Sequence, residues 1–448
     1  MKCAGRRVTV VGAARSGVAA ANVLVARGAS VTLVDREAGR PRPPRLSGGV
    51  QFWSGTDDVP AADLVVLSPG VTEQSPVRAL ARTRAPEVIG EVELFWRLCP
   101  SEPFVVAVTG TDGKSTVTTM LGAVWARAER GHWVGGNLGT PLCELLDAGA
   151  PPPYVLAEIS AFQLTTCALF RPRVAVVTNI ADDHLDYHGT FERYQAAKRR
   201  VWAAMRAGDV LVLNADDPHI TLWSLPTNVT VRRFSLRDPS ADGYVDGEWL
   251  WIRRAGAVER WIHRARLPLR GVHNVANALA AGLAASAAGI DLGLVADALG
   301  AYRALPHRIE TVAVVDEVEW VDDSKATNPH ASSAALRAFS RPVVLLAGGA
   351  HKGAALAQWS ALVREKCRGV VVFGRDRAAL RDALSGATQV EAVETLAEAV
   401  EVAASLARPG DVALLSPACA SLDAYRSYAE RGADFASLVR DRDRARAR

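Results

Sequence analysis

Short, almost continuous apolar runs recur along the chain, and each ends in a turn rich in glycine or polar residues. Clear examples are Val8 to Val11, Phe104 to Val108, Val174 to Val177 and Val343 to Leu346. Strands that are apolar on both faces are typical of parallel sheets with helices on both sides. The pattern therefore predicts an α/β fold with ligands at the carboxyl ends of the strands.

The length of 448 residues exceeds what one hydrophobic core usually serves, so about three domains are expected. Breaks in the pattern near Cys99-Pro100 and Ala304-Leu305-Pro306 predict domains at 1–98, 99–304 and 305–448. The first domain is predicted to start with a strand from Val8 to Val11, a turn from Gly12 to Gly17 and a helix from Val18 to Arg27. Alternating segments between Tyr244 and Leu269 predict antiparallel hairpins inside the central domain.

Composition excludes several classes of protein. The net charge is only +4, and the basic residues are scattered, which argues against nucleic-acid binding. No apolar run approaches the roughly 18 residues of a membrane-spanning helix, so no membrane insertion is expected. The six cysteines show neither CxxC pairs nor metal-ligand spacing, so we expect reduced thiols in the cytoplasm.

The stretch FVVAVTGTDGKST, residues 104 to 116, has the features of a phosphate-binding loop. Gly110 and Gly113 allow backbone N–H groups to face an anion, Lys114 can reach terminal phosphates, and Ser115 offers a hydroxyl to magnesium. A buried strand before the loop and a helix after it are the required setting. A standard motif has another glycine at position 108, where this chain has valine.

Two more polar side chains follow predicted strands of the same domain. Glu158 lies in LAEISAFQL and His184 in NIADDHLDYHG. In a parallel sheet both would lie at the same edge as Lys114. Magnesium accepts few protein ligands and keeps waters, so Glu158 and His184 are candidate ligands, directly or through water.

Six segments occur in an order that resembles the Mur ligase family, the ATP-dependent amide-forming enzymes of peptidoglycan synthesis. They are GTDGKST, EISAFQL, NIADDHLD, GVHNVANALAA, LPHRIE and DDSKATN. This resemblance implies a Rossmann-like N-terminal domain, a central P-loop ATP-binding domain with a parallel sheet, and a Rossmann-like C-terminal α/β domain. SPACASLD and RSYAERG further resemble the members that add D-glutamate to UDP-N-acetylmuramoyl-L-alanine.

The resemblance also assigns roles to individual residues. It implies that the UDP-substrate is bound by Gly12, Ala14, Arg15, Ser16, Asp35, Arg36, Ser68, Pro69, Gly70 and Asn137. It implies that ATP is bound by Gly110, Thr111, Asp112, Gly113, Lys114, Ser115, Thr116, Asn274, Arg308 and Asp323. Two magnesium ions would be held by Ser115, Glu158, His184 and Lys198, the last as a carbamate, and Lys114, Glu158, His184 and Lys198 would be catalytic.

The incoming amino acid would contact Lys325, Thr327, Lys352, Ser421 and Tyr428. Cations and hydroxyls suit a glutamate with two carboxylates. The resemblance further implies a monomeric cytoplasmic enzyme that makes an acyl phosphate, although whether D- or L-glutamate is used stays open at this point. The alternatives are an L-alanine-adding sister ligase, a folylpolyglutamate-synthase-like ligase, a dehydrogenase and a nucleotide-binding protein without catalysis.

Overall fold

The structure is a computed structural model that describes residues 1–147, 150–254, 256–351, 353–386 and 389–446. The chain divides into two compact units. The first unit comprises Met1–Ile180, Tyr187–Arg266 and Ala276–Ala301, and the second comprises Ala181–Asp186, Leu267–Val275 and Tyr302–Arg448. Two sheets belong to the first unit and a third sheet belongs to the second.

The first sheet has five parallel strands with helices between them. Its elements are β1 (Arg7–Val11), α1 (Arg15–Ala26), β2 (Ser30–Asp35), β3 (Gln51–Ser54), β4 (Leu64–Leu67), α2 (Pro76–Arg84), β5 (Val88–Gly90) and α3 (Glu91–Leu98). The strand order is β3-β2-β1-β4-β5. Because the order reverses at β1, a crevice is expected beyond the carboxyl ends of β1 and β4.

The second sheet is larger and has nine strands. Its strands are β6 (Phe104–Thr109), β7 (His132–Gly136), β8 (Tyr154–Glu158), β9 (Val174–Val177), β10 (Val210–Asn214), β11 (Thr230–Ser235), β12 (Gly243–Asp246), β13 (Trp249–Arg254) and β14 (Ala257–His263). The order is β14-β13-β12-β11-β10-β9-β6-β8-β7. The pairs β12·β13 and β13·β14 are antiparallel, which confirms the predicted hairpins, and the other pairs are parallel.

Six helices follow the strands of this second part of the chain. They are α4 (Lys114–Arg127), α5 (Ala161–Leu164), α6 (Leu185–His188), α7 (Phe191–Arg199), α8 (Val272–Ala287) and α9 (Leu292–Gly300). Short 3₁₀ turns cover Leu142–Leu146, Arg200–Trp202, Ile220–Leu222 and Arg264–Arg266. No helix among the described residues combines the length and the apolar character that crossing a membrane requires.

The third sheet has six strands in the second unit. Its elements are β15 (Glu310–Val315), β16 (Val318–Asp322), α10 (Pro329–Arg337), β17 (Val343–Gly348), α11 (Ala357–Lys366), β18 (Cys367–Phe373), α12 (Arg377–Ala383), β19 (Gln389–Ala392), α13 (Leu396–Leu406), β20 (Val412–Ala418) and α14 (Tyr428–Arg446). The order is β15-β16-β20-β17-β18-β19. Only the edge pair β15·β16 is antiparallel among these strands, so the predicted α/β class is confirmed.

The predicted start of the first helix was wrong by one turn. The turn was expected to last until Gly17, but α1 already begins at Arg15. Gly17 lies so close to the preceding turn that a Cβ there would be 1.9 Å from the Gly12 carbonyl oxygen. The glycine therefore permits the helix to start early and to pack tightly against the turn, rather than extending that turn.

A buried carboxylate of α3 organises the loop after α5. Glu93 is fully buried, and its oxygens accept hydrogen bonds from the backbone N–H groups of Ala168, Leu169 and Phe170 at 2.8 to 3.0 Å. Arg97 adds a charge-assisted bond, with its Nε 2.6 Å from Glu93 Oε1. This carboxylate joins the first sheet to the second because it satisfies backbone donors that burial would otherwise leave without partners.

We expect Glu93→Ala to lower the free energy of unfolding by about 3–5 kcal/mol, because Arg97 and three N–H groups lose a buried charged partner. Urea unfolding followed by circular dichroism measures the change. The matched control is Glu102→Ala, which removes an exposed carboxylate 3.3 Å from Arg171 and should cost at most about 1 kcal/mol. Equal losses in both variants would contradict this account of Glu93.

Candidate active site

The glycines of the phosphate-loop sequence between β6 and α4 have no room for a side chain. Gly110 has a φ of 140° and Gly113 a φ of 78°, both of which favour glycine. A Cβ on Gly110 would lie 1.9 Å from Thr178 Oγ1, and one on Gly113 would lie 2.5 Å from Asn277 Oδ1. Val108 replaces the extra glycine of the standard motif and is fully buried inside β6.

Side chains from neighbouring elements hold the carbonyl groups of this loop. Lys198 Nζ donates to the Gly110 oxygen at 2.7 Å. The Asp112 oxygen accepts from Thr178 Oγ1 at 2.5 Å and from Asn179 Nδ2 at 3.1 Å. Asn179 also accepts from the N–H groups of Thr111 and Asp112 at 2.9 Å each, so hydrogen bonds fix the backbone shape of the loop.

Helix α4 begins directly at the predicted phosphate lysine. Lys114 is its first residue, and its Nζ donates to the Thr111 oxygen at 2.6 Å. Ser115 and Thr116 follow in the first turn and are buried, and no acidic residue lies in that turn. The positive end of the helix dipole therefore reinforces Lys114 at the loop.

Glu158 lies at the same edge of the second sheet. It is the last residue of β8, and the register pairs it with Val108 of β6, just before the phosphate loop. Its side chain is buried, and Oε1 accepts from Asn137 Nδ2 at 2.6 Å. The Asn137 N–H also donates to the Glu158 carbonyl oxygen at 2.8 Å. Carboxylate and lysine thus share one edge, as a metal-bound phosphate would require.

Lys198 is buried, although a lysine on a helix usually lies on the surface. It is 2% exposed on α7, and its Nζ lies 4.5 Å from the ring centroid of Tyr194. As an ammonium it donates to Gly110 and cannot bind a metal. A carbamate would supply anionic oxygens and would keep one N–H on Nζ, so the bond to Gly110 is compatible with that modification.

His184 belongs to the second unit, within Ala181–Asp186. It has a φ of 54°, and its Nε2 lies 3.5 Å from Asp183 Oδ2. The same Asp183 oxygen accepts a hydrogen bond from Asn328 Nδ2 at 3.2 Å. The convergence of His184 with Lys114 and Glu158 stays a prediction.

All ten residues predicted to bind the UDP-substrate line one cavity of about 650 Å³ in the first unit. Asp35 ends β2 and is buried, and its oxygens accept from the Ala13 N–H at 2.7 Å and the Glu37 N–H at 3.0 Å. Ser68 Oγ donates to the Gly12 oxygen at 2.8 Å. The ends of β1, β2 and β4 therefore form a polar pocket whose volume suits a small-molecule ligand.

The turn Gly12-Ala13-Ala14 has alanine where a dinucleotide-binding turn has its second glycine, and this alanine does not close the cavity. Ala14 stands there with a φ of −79°, a conformation open to any residue, and its side chain is exposed. Sequence analysis did not identify Arg40, whose Nη1 lies 2.8 Å from Glu37 Oε2 and 3.5 Å from Asp35 Oδ2. Arg40 lies five residues after the end of β2, and the irregular loop between them gives no sequence pattern that places its side chain beside Asp35.

In the second unit, Asp323 follows β16 and is buried. It accepts from Ser416 Oγ at 2.9 Å and from the Ile309 N–H at 3.3 Å. Burial raises the pKa of Asp323 to about 8, and the charge of Arg308 opposes that shift. Asn274, the third residue assigned to the nucleotide here, donates from Nδ2 to the Arg270 oxygen at 2.7 Å. These three assignments stay predictions.

Lys325 and Tyr428, both assigned to the incoming amino acid, contact each other, with the Lys325 Nζ 3.9 Å from the ring centroid of Tyr428. The Thr327 N–H donates to the Lys325 oxygen at 2.8 Å, and Ser421 is buried after β20. The predicted contact at Lys352 lies outside the described residues.

One cluster of potential metal ligands among the described residues was not predicted. It consists of His307, Glu310 and Asp322. His307 Nδ1 lies 2.6 Å from Asp322 Oδ2, and the His307 N–H donates to Glu310 Oε2 at 2.9 Å. Direct hydrogen bonds between the members account for their proximity. His307 lies in the motif LPHRIE, in which the resemblance assigns a role only to Arg308.

The raised pKa of Asp323 predicts a pH effect on stability. The unfolded carboxyl ionises near pH 4 and the folded one near pH 8, so the free energy of unfolding should fall by up to about 1.4 kcal/mol per pH unit between them. Asp323→Asn should make this slope shallower by up to that amount, as measured by denaturant unfolding at pH 5, 6 and 7. Asp382→Asn, at an exposed site, is the control and should retain it.

The chain matches three domain families of known proteins. The Mur ligase MurD-like N-terminal domain matches residues 6–90, the Mur ligase middle domain 108–285 and the Mur ligase glutamate ligase domain 307–419. The chain is 41% identical to UDP-N-acetylmuramoylalanine--D-glutamate ligase of Pelotomaculum thermopropionicum, covering 97% of each chain. It is 40% identical to the protein of the same name from Geobacter metallireducens, covering 98% of each.

Solved structures show the same fold at lower identity. The MurF ligase of Thermotoga maritima in complex with ADP has a TM-score of 0.61 and 18% identity, over 98% of this chain and 96% of that chain. The order of three matching domains and the identity of about 40% over nearly the full length agree with the resemblance seen in the motifs. The chain belongs to the Mur ligase family.

Proposed function

We propose that this protein uses ATP to join D-glutamate to UDP-N-acetylmuramoyl-L-alanine through an acyl phosphate. The similar proteins from P. thermopropionicum and G. metallireducens carry the name of that ligase. The observation that carries the proposal is the position of Asn137. It lines the cavity of the first sheet and donates at 2.6 Å to Glu158, beside the phosphate loop of the second sheet.

The proposed UDP-substrate site is the 650 Å³ cavity. Arg15 and Ser16 at the start of α1 would meet the diphosphate, helped by the helix dipole. Asp35, held by two backbone N–H groups, has oxygens suited to hydroxyl or imide donors, and Arg36 adds a cation. The strand ends would thus fix the uridine end, and the lactoyl-alanine carboxylate would extend towards Asn137.

The proposed ATP site is the loop from Gly110 to Thr116. Its N–H groups and Lys114 would bind the phosphates, while Asn274, Arg308 and Asp323 would contact the rest of the nucleotide. Ser115, Glu158 and carbamylated Lys198 would supply the oxygen donors that suit two Mg²⁺ ions, and His184 would contact a bound ion through one of its waters. When bound, these ions neutralise the charge that develops on the transferred phosphoryl group.

The reaction follows from what these residues hold. Asn137 would orient the substrate carboxylate so that its oxygen attacks the γ-phosphorus, and ADP leaves. Lys114 would offset the charge of the transition state. Lys325, Lys352 and the hydroxyls of Thr327 and Ser421 would pair with the carboxylates of glutamate and leave its amine free. That amine attacks the acyl phosphate carbon, phosphate leaves, and the amine proton passes to a base, for which His184 is the candidate.

The remaining assignments are proposals of the same kind. Tyr428 would pack against Lys325 and position it for the amino acid, since the two already contact each other. We propose domain limits at 1–98, 99–304 and 305–448, and a monomeric enzyme of the cytoplasm. A dehydrogenase is the weaker hypothesis, because the glycine pattern of the first turn is broken and no later motif resembles a hydride-transfer site.

We expect phosphate release only when UDP-N-acetylmuramoyl-L-alanine, ATP, Mg²⁺ and D-glutamate are all present. L-Glutamate, L-alanine and glycine serve as matched amino acids in the same phosphate assay. Release with L-alanine on UDP-N-acetylmuramate would identify an L-alanine-adding ligase instead. Release with L-glutamate on a folate would identify a folylpolyglutamate-synthase-like ligase. Either result would refute the proposal.

Lys114→Met keeps the length of the side chain and removes its charge. We expect kcat to fall by about 10²–10³-fold, because a preorganised cation for the transition state is lost. Binding of the UDP-substrate, measured by calorimetry, should not change. The control is Lys366→Met, at the end of α11 beside the third sheet, and it should retain full turnover. A Lys114→Met enzyme with normal kcat would contradict the proposed role.

A further inference from the structure

A second cavity in the first unit shares no lining residue with the 650 Å³ cavity. It has a volume of about 440 Å³ and opens between the carboxyl-terminal half of α2 and the outer side of α7. Arg82 of α2, Arg193 of α7 and Arg200 contribute to its lining. An adjoining cavity of about 190 Å³ shares Arg82 and Arg200 and adds Arg78 and Arg97. We call the two together the arginine cleft.

The acidic residues of the cleft do not balance its cations. Arg97 is paired with Glu93 at 2.6 Å and also with Glu87. Arg78 lies 4.0 Å from Glu73. Across the described ranges of the chain, no ion pair within 4.0 Å includes the three other arginines, Arg82, Arg193 and Arg200. Two carboxylate-paired guanidinium groups therefore stand beside three without a carboxylate partner.

Part of this lining is fixed in place. Arg200 donates from Nε to the Leu164 oxygen at 2.9 Å and from Nη2 to the Cys167 oxygen. Arg78 donates to Thr165 Oγ1 at 3.3 Å and is 5% exposed. Anchored guanidinium groups lose less conformational entropy when they bind an anion than free side chains do. Arg82 and Arg193 are exposed and complete the lining from opposite sides.

We propose that the arginine cleft binds a small polyanion with at least two oxyanion groups. The planar fork of arginine matches phosphate and carboxylate oxygens equally well, and three unpaired guanidinium groups exceed what a single oxyanion neutralises. The larger cavity falls within the range of about 300–1,000 Å³ that ligand pockets occupy. A ligand there would join α2 to α7, the helix that carries Lys198 on its buried side. This site is separate from the proposed ligase reaction.

The test uses the full chain in magnesium-free buffer, with pyrophosphate and citrate as separate probes. Calorimetry measures affinity, and amide hydrogen exchange shows where each probe binds. We expect at least one probe to protect residues 76–84 and 191–200. Arg82→Gln combined with Arg193→Gln should weaken that probe by about 100-fold, roughly tenfold for each lost charged contact. Pyrophosphate alone would indicate a phosphate ligand, and citrate alone a carboxylate ligand.

The matched control is Arg206→Gln combined with Arg237→Gln. Both control arginines are exposed in the first unit, and the two pairs change the net charge equally. The control should bind the probe as the unaltered protein does. If both double variants bind the probe equally more weakly, the binding reflects general charge attraction, and the proposal is overturned. Protection confined to residues 110–116, or no binding of either probe at about 10 mM, would also overturn it.

Discussion

The phosphate loop depends on hydrogen bonds to its carbonyl groups. A loop with two glycines has many accessible conformations, and ordering it costs about 1–2 kcal/mol per residue. Lys198, Thr178 and Asn179 bind the oxygens of Gly110 and Asp112, so one face of each peptide unit is already occupied. Asn179 also accepts from the N–H groups of Thr111 and Asp112, so the backbone of the loop is shaped before any anion arrives. Preorganisation of this kind is what makes such loops effective phosphate sites.

Lys198 can combine two roles, a hydrogen bond that holds the phosphate loop and, as a carbamate, the binding of a metal ion. Burial of an ammonium is costly, and the contacts with Gly110 and the Tyr194 ring offset part of that cost. Conversion to a carbamate would replace the cation by an anion, which needs a cation beside it. Metal ions near Glu158 would supply that charge. Loop shape and metal binding would then depend on one side chain of α7.

The sequence predicted the elements better than the contacts between them. Strand β9 was predicted at its observed limits, Val174 to Val177, because a short continuous apolar run bounded by polar turns is typical of a buried strand. The ten residues around the 650 Å³ cavity were assigned through the resemblance to the Mur ligases, and most of them follow strand ends, which parallel topology brings together. The start of α1 was missed because a close approach at Gly17, not local propensity, determined it.

What the sequence did not predict depends on distant neighbours. The burial of Lys198 depends on the packing of α7 against a loop 88 residues earlier in the chain. The capping of the loop at Ala168 by Glu93 spans 75 residues, and no periodic pattern marks it. Arg40 and the arginine cleft were missed for the same reason, since scattered arginines form a cluster only after folding. Side-chain roles of this type follow from tertiary packing and not from spacing along the chain.

The sheets also explain why a ligase of this kind needs more than one of them. Helices cover both faces of a parallel sheet, so small ligands bind at the carboxyl edge. Neighbouring strands lie about 4.8 Å apart, and the five strands of the first sheet therefore offer an edge of roughly 20 Å. In the proposed arrangement, a UDP-linked sugar with a peptide acid would occupy this edge, and the triphosphate would bind at the edge of the second sheet. Asn137 lines the cavity at this edge and donates a hydrogen bond to Glu158 at the edge of the second sheet, so two substrates could meet there although each would be held by its own sheet.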